Sequence, residues 1–343
     1  MRAIKKNSKN KGITITNAPV PKPGPGEVLI KVKMVGICGT DLHIHRWDKW
    51  SQDRIVPPII MGHEFVGEIE KVGRDVNHLK KGQRVSAEGH INCGYCRYCR
   101  TGQEHICKDV KIIGVDIDGC FAEYLCMPAN NVWPVNKDII DKYAAVFDPI
   151  GNAMHVVMAQ PIAMKTVLIT GAGSIGLFAT LIAKTNGAEK VIVVEPCSFK
   201  RKIAKKIGAD LVLDSNDENI KRKIIDNTNS FGPDVLLEMS GNPDALRLGL
   251  DVLSNGGSVS LLGIPSEEVT LNIAEQIIFK GITIHGITGR KMFETWYQCE
   301  SFLLRKGKLI EPILTHCLDM KNIEEGFTLM ENNQAAKVLI QIN

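Results

Sequence analysis

At 343 residues the chain exceeds the length at which one hydrophobic core stops growing, so two domains are expected, and 44% hydrophobic with 23% charged residues describes a packed, water-soluble protein. A formal net charge of +4, from 42 basic and 38 acidic residues, is too small a surplus to make nucleic acid or an anionic membrane the expected partner. The basic MRAIKKNSKNKG start leads into no apolar run with a cleavage site, and the longest uncharged stretch, Thr166 to Ala183, is broken by Gly171, Gly173, Ser174 and Gly176. Neither export nor a membrane span is expected, and the cytoplasm is the expected compartment.

In chain order, the turn-forming PKPGPGE precedes VLIKVKMVGIC (28–38), whose first half alternates apolar and polar as a strand does; FVGEIEKV (65–72) and FAEYLCMP (121–128) continue the β pattern. The first 150 or so residues thus read as mostly β with long glycine-containing loops. Within them, GICGTDLHIH (36–45) and GHEFVGEI (62–69) bring Cys38, His63 and Glu64 into consideration as one metal site. A thiolate, an imidazole and a carboxylate leave a coordination position for water or substrate, which is the mark of a catalytic metal. Taken singly, Cys38 reads equally well as a small buried hydrophobe and His63 as a hydrogen-bonded core residue.

Cys93, Cys96, Cys99 and Cys107 follow as C-x2-C-x2-C-x7-C. Ten cysteines in a long chain without an export signal point to metal rather than disulfides, and four thiolates close a tetrahedron, so this set is expected to brace its loop. An iron–sulfur cluster is the alternative, although the bacterial ferredoxin pattern has a shorter last gap followed by proline, and here Lys108 follows.

From Thr166 the texture changes. TVLIT, KVIVVE, LVLD, DVLLEM and SVSLLGI are short apolar runs separated by helix-like segments such as SFKRKIAKKIG, the alternation of a parallel α/β sheet, placed at 150–288. GAGSIG (171–176) fits G-x-G-x-x-G between the strand VLIT and the helix-like LFATLIAK, and Glu195 ends the next strand at about the distance expected of a ribose-binding acid. Gly171 is expected to permit the turn, Gly173 the approach of a pyrophosphate to the helix amino terminus, and Gly176 close helix–strand packing. Glu195 would repel a 2′-phosphate and favour NAD, while Lys200 and Arg201 stand nearby as cations that favour NADP.

GHEFVGEI, the four-cysteine lobe and GAGSIG, in this order and separation, resemble the medium-chain zinc alcohol dehydrogenases over essentially the whole chain. The resemblance implies an α/β protein with a GroES-like β-rich catalytic domain carrying two zinc ions (1–149), a Rossmann doubly wound parallel-sheet domain for NAD (150–288), and a segment returning to the first domain (289–343). It also implies an active cleft between the domains and assembly as dimers or tetramers, with a homotetramer expected. Within the family, HIHRWDKWSQ (43–52), EGHINCGYC (88–96), FDPIGNA (147–153) and GRKMFETWY (289–297) most resemble the branch that oxidises L-threonine; His45 departs from it, since tyrosine is common there.

Carried over position by position, the resemblance implies Cys38, His63 and Glu64 on the catalytic zinc, with Thr40 and His43 relaying the hydroxyl proton and Asp148 in an outer-sphere role. Ile175, Glu195, Lys200, Leu262, Gly263, Ile264, Gly286 and Ile287 match cofactor-contact positions. The implied reaction is oxidation of the L-threonine 3-hydroxyl to 2-amino-3-oxobutanoate, functionally linked to 2-amino-3-ketobutyrate CoA ligase. His90 and Arg290 are candidates for gripping the substrate, each with a structural role as the commoner fate of a polar side chain. A polyol or 2,3-butanediol dehydrogenase is the enzymatic alternative, and a non-catalytic NAD-binding protein the alternative of another class.

Overall fold

The computed structural model describes residues 1–265 and 267–342. Its contacts divide the chain into unit 1 (Met1–Asp148, Lys291–Lys308 and Leu314–Asn343) and unit 2 (Pro149–Arg290 and Leu309–Ile313).

The strands of the first 148 residues are β1 (Arg2–Lys6), β2 (Thr14–Asn17), β3 (Glu27–Ile37), β4 (Ile59–Ile60), β5 (Glu64–Val72), β6 (Arg84–Ala87), β7 (His90–Ile91), β8 (Lys111–Ile112), β9 (Tyr124–Pro128) and β10 (Val132–Pro134). Between them lie the helices α1 (Gly39–Arg46), α2 (Lys49–Arg54) and α3 (Arg97–Arg100), and α4 (Asp141–Ala144) follows. From there α5 (Phe147–Met158) carries the chain into unit 2, where β11 (Thr166–Thr170), α6 (Ser174–Thr185), β12 (Lys190–Val194), α7 (Ser198–Lys206), β13 (Leu211–Leu213), α8 (Ile220–Asp226), β14 (Val235–Glu238), α9 (Pro243–Val252), β15 (Ser258–Leu261) and β16 (Thr283–Gly286) alternate. The chain ends with α10 (Glu294–Lys306), β17 (Leu314–Asp319), α11 (Ile323–Glu331) and β18 (Lys337–Gln341).

Unit 1 is built on a mostly antiparallel sheet in the order β10-β6-β5-β3-β18-β17, with β9 also pairing β3. In β3, Val28, Ile30 and Val32 are buried around exposed Lys31; register shifts between Leu29 and Ile30 and between Val32 and Met34 re-phase the alternation so that Val35 and Ile37 are buried too. These side chains pack with Phe65, Ile69, Phe121, Phe327 and Ile340 in one core, where each such burial stabilises by roughly 1.5–3 kcal/mol. Register then brings distant residues together at one end of β3: Gly36 pairs with Glu64, and Ile37 with Val338. Cys38, next in the chain, caps α1.

Unit 2 holds a fully parallel sheet in the order β13-β12-β11-β14-β15-β16. That is the doubly wound 3-2-1-4-5-6 arrangement, whose direction of growth reverses between its first and fourth strands and leaves a crevice at their carboxyl ends. Val167, Leu168 and Ile169 of β11 are completely buried, which is why this strand reads as a continuous apolar run rather than an alternating one. Among the described residues no helix is long and apolar enough to cross a membrane.

Candidate active site, cysteine lobe and dinucleotide site

Cys38 Sγ, a ring nitrogen of His63 and a carboxylate oxygen of Glu64 lie within 4.8 Å of one another, His63 and Glu64 being buried. Asp41, completely buried in the first turn of α1, accepts from the Cys38 backbone N–H at 2.9 Å through Oδ2, and its Oδ1 stands 4.0 Å from His63 Nδ1. Asp41 faces the Nδ1 side of His63 without a direct hydrogen bond, which leaves Nε2 available to a metal. Burial pushes the Asp41 carboxyl up to about 6 against the pull of His63. Burial also opposes charge on His63, yet Cys38 and then Asp41, with Asp148 adding to them, hold its pKa up at about 10. The cluster therefore favours a cation at this point, and the soft and hard donors present suit zinc.

Glu64 has a second partner that local motif reading misses. Lys337 Nζ, at the start of β18, donates to both Glu64 carboxylate oxygens at 2.8 Å and to the Ile37 carbonyl at 2.9 Å, with both side chains essentially fully buried. Burial works to discharge Lys337, but Glu64 and then Cys38 keep its pKa above the ordinary lysine value. Gly36 makes the room: a Cβ there would lie 2.2 Å from Glu64 Oε2. Asp148 is buried in the first turn of α5 and acts on both His63 and Lys337 through its charge, outside the three-donor group itself.

Thr40 and His43 occupy α1 three residues apart, hence on one face of the helix. His43 is exposed, and its Nδ1 is bonded to Asp48 Oδ2. Asp48 also caps α2 by accepting from Ser51 N at 3.0 Å. Although burial opposes its charge, the bonds from His43 and Ser51 hold the Asp48 carboxyl below the usual range, so an acceptor carboxylate faces His43 Nδ1.

In the cysteine lobe, sulfur–sulfur distances are 3.5 Å for Cys96–Cys99 and 3.9 Å for Cys93–Cys99 and Cys96–Cys107. Zinc bound to four sulfurs at about 2.3 Å would set them about 3.8 Å apart, whereas a disulfide needs about 2.05 Å. Backbone N–H groups of Cys93 and Asp109 point at Cys107 Sγ, and that of Cys96 at Cys93 Sγ, each at 3.4 Å, as thiolates require. The donors fit one tetrahedral zinc.

In unit 2 the cofactor candidates gather at the carboxyl ends of the parallel strands: Gly171 after β11, Glu195 after β12, Leu262–Ile264 after β15, and Gly286–Ile287 closing β16. Gly171 has φ +90°, a Cβ on Gly176 would lie 2.0 Å from the Gly171 carbonyl oxygen, and a Cβ on Gly173 would meet nothing within 4 Å. Open space before the amino terminus of α6, where Ile175 lies in the first turn, fits a pyrophosphate. Glu195 is buried and already oriented, accepting from Ala172 N at 2.7 Å and Cys197 N at 3.0 Å. Lys200 and Arg201 lie in α7 just beyond it.

Within unit 1, residues from three of the distinguishing strings, Glu88, Phe147 and Trp296, pack together. Buried Glu88 accepts from Trp296 Nε1 at 2.9 Å and from His90 N at 2.9 Å, and Trp296 stacks on Phe147 at 5.3 Å, next to Asp148. His90 Nδ1 stands 3.3 Å from Glu88. His45 is turned away to α11, stacked on Phe327 at 4.5 Å and bonded to Glu324 at 2.9 Å, a tie between helices. Arg290 is buried in unit 2 with Nη1 3.5 Å from Asn152 Oδ1.

Residues 24–137 match the alcohol dehydrogenase GroES-like domain and residues 174–305 the zinc-binding dehydrogenase family. The chain is 48% identical to an L-threonine 3-dehydrogenase of Pyrococcus horikoshii over 100% of this chain and 99% of that one. It superposes on the NADH complex of a protein from E. coli CFT073 described as a short chain alcohol dehydrogenase, with 30% identity, TM-score 0.91 and coverage of 100% and 99% of the two chains. For 2R,3R-butanediol dehydrogenase from Bacillus subtilis the values are 26%, 0.90, 100% and 99%. The chain belongs to the zinc-binding medium-chain alcohol dehydrogenase family.

Proposed function

We propose that the protein oxidises the 3-hydroxyl of L-threonine to the ketone of 2-amino-3-oxobutanoate, with NAD as hydride acceptor. The observation that carries this reading is full-length identity of 48% to an L-threonine 3-dehydrogenase, well above the 26% shared with the butanediol enzyme. Cys38, His63 and Glu64 would hold the catalytic zinc, with Asp148 in its outer sphere, and Cys93, Cys96, Cys99 and Cys107 the structural one. When bound, the catalytic zinc lowers the pKa of a coordinated hydroxyl by several units and NAD takes up the hydride.

The chain's own residues do the rest. Asp41 orients His63, and Lys337 balances the Glu64 charge. Thr40 takes the hydroxyl proton outward and His43, its Nδ1 held by Asp48, accepts it on Nε2. Gly171, Gly173, Ile175 and Gly176 receive the dinucleotide phosphates, Glu195 the adenosine ribose, and Lys200, Leu262, Gly263, Ile264, Gly286 and Ile287 the remaining contacts. His90, beside buried Glu88, is the substrate-side candidate in unit 1.

The oligomer is proposed as a homotetramer, supported by the exposed edge strand β16 with exposed Ile278 and Phe279 just before it. Thiolate ligands call for a compartment that keeps them reduced, which supports the cytoplasm. A β-keto acid product that decarboxylates readily makes the CoA ligase its natural consumer. The test compares NADH formation from L-threonine, L-serine, D-threonine, 2,3-butanediol and sorbitol, with aminoacetone measured separately. Higher catalytic efficiency on butanediol or sorbitol than on L-threonine rejects the substrate.

A further inference from the structure

Selection between NAD and NADP turns on what meets the 2′ position of the adenosine ribose. An acid there excludes a 2′-phosphate only if no nearby guanidinium is at liberty to bind one, since arginine matches phosphate geometry with paired N–H donors. Arg201 lies close enough to do so: its Nη1 donates to the backbone carbonyls of Glu195, at 2.8 Å, and Pro196, at 2.5 Å. Its Nη2 is 2.8 Å from Asp214 Oδ2. Asp214 immediately follows β13, whose Leu213 carbonyl accepts from Glu195 N at 3.1 Å, so the two acids end neighbouring strands at the same edge of the sheet. Asp214 is itself fixed, because its Oδ1 accepts from Asn216 N at 3.0 Å.

We propose that Asp214 is a specificity-determining residue: its ion pair with Arg201 latches the guanidinium onto the carbonyls of residues 195 and 196, withholds it from a 2′-phosphate, and so sets the preference for NAD together with Glu195. The proposal rests on Glu195 being the ribose acid. Turning Arg201 toward a 2′-phosphate would break three contacts and leave the Asp214 carboxylate unpaired beside an incoming dianion, which makes the latch a repulsive device against NADP as well as a restraint. Asp214→Asn keeps the shape and the acceptor for Asn216 N while removing the charge that holds Arg201.

The experiment is calorimetric titration of the zinc-loaded protein with NAD and with NADP. It compares the wild type with Asp214→Asn, Arg201→Ala, the double variant and Glu195→Gln. Asp214→Asn is expected to tighten NADP about tenfold, the worth of one charge-assisted bond, and to change NAD by less than about threefold. The double variant is expected to return NADP to the wild-type affinity, and Arg201→Ala alone to leave NADP affinity within about twofold, because a latched guanidinium contributes nothing there. No gain in Asp214→Asn overturns the latch. So does a gain that persists in the double variant, which would mean simple removal of negative charge. Should Asp214→Asn fail to fold, a tenfold loss of NADP affinity in Arg201→Ala still overturns it by showing the guanidinium already engaged. Failure of the ribose reading shows separately, as unchanged NAD affinity in Glu195→Gln.

Discussion

Replacing Lys337 with methionine tests the electrostatic frame of the candidate active site. The variant keeps an unbranched side chain of similar length but removes three hydrogen bonds, two to Glu64 and one to the Ile37 carbonyl. Since the two charged side chains are only 1% and 0% exposed, removal of the ammonium strands a carboxylate without solvent, a loss of about 3–5 kcal/mol. At roughly 2–4 °C per kcal/mol for a unit of this size, the midpoint of unit 1 unfolding should fall by roughly 6–20 °C in metal-stripped protein. Trp47, Trp50, Trp133 and Trp296 all lie in unit 1, so intrinsic fluorescence follows that unit alone. In zinc-loaded protein the loss should be smaller, because the metal then offers Glu64 a cation in place of the lost ammonium. Adding Glu64→Met to Lys337→Met removes both charges and should recover at least half of the loss, as buried pairs replaced together usually do. A single variant that loses less than about 1 kcal/mol, or a double variant no more stable than the single, would refute the reasoning.

Zinc analysis should find two ions per chain; Cys38→Ser is expected to retain one and lose activity, while Cys96→Ser should lower thermal stability, and a wild type with a single ion rejects the pair of sites. Zinc must displace the proton that Cys38, Asp41 and Asp148 stabilise on buried His63, so apparent affinity of the catalytic site should fall steadily as the pH is lowered from about 10, measured by chelator competition; a flat profile from about pH 9 to 6 contradicts it. His43→Asn should slow turnover most at low pH, where external bases are scarce, and Asp48→Asn should shift the same limb of the pH–rate profile by loosening the imidazole; unchanged profiles in both remove the pair from the proton path.

What the sequence discloses here is chiefly what is local. The cysteine lobe spans fifteen residues and the dinucleotide turn six, so spacing alone carries their chemistry. Asp41 leaves a readable trace too, as an acid in the third position of a helix whose cap it supports, although that pattern speaks of capping and not of a histidine ligand. Asp48 likewise reads as the cap of α2, and only the fold reveals that its other oxygen holds His43. Lys337 leaves no trace, because it meets Glu64 across 273 residues through the register of β18 on β3. A lysine at the start of a terminal strand otherwise reads as a solvated charge, the ordinary fate of lysine.

Lys337 and Asp214 share a logic that motif reading does not reach. Lys337 opens β18, one strand removed from β5 with Glu64, and Asp214 follows β13, which neighbours the β12 leading to Glu195; each supplies a countercharge to a group whose availability decides what is bound. Lys337 already neutralises Glu64 in the core, so with zinc bound as proposed the carboxylate would not need the metal to remain stable there. Asp214 occupies the guanidinium that would otherwise compete with Glu195 for the choice of cofactor. In both cases the motif residue specifies the kind of ligand, while a residue from another strand decides how freely it is offered. Relatives that share the motifs but differ at these two positions should therefore share the fold and the reaction class, and diverge in zinc retention and in cofactor preference.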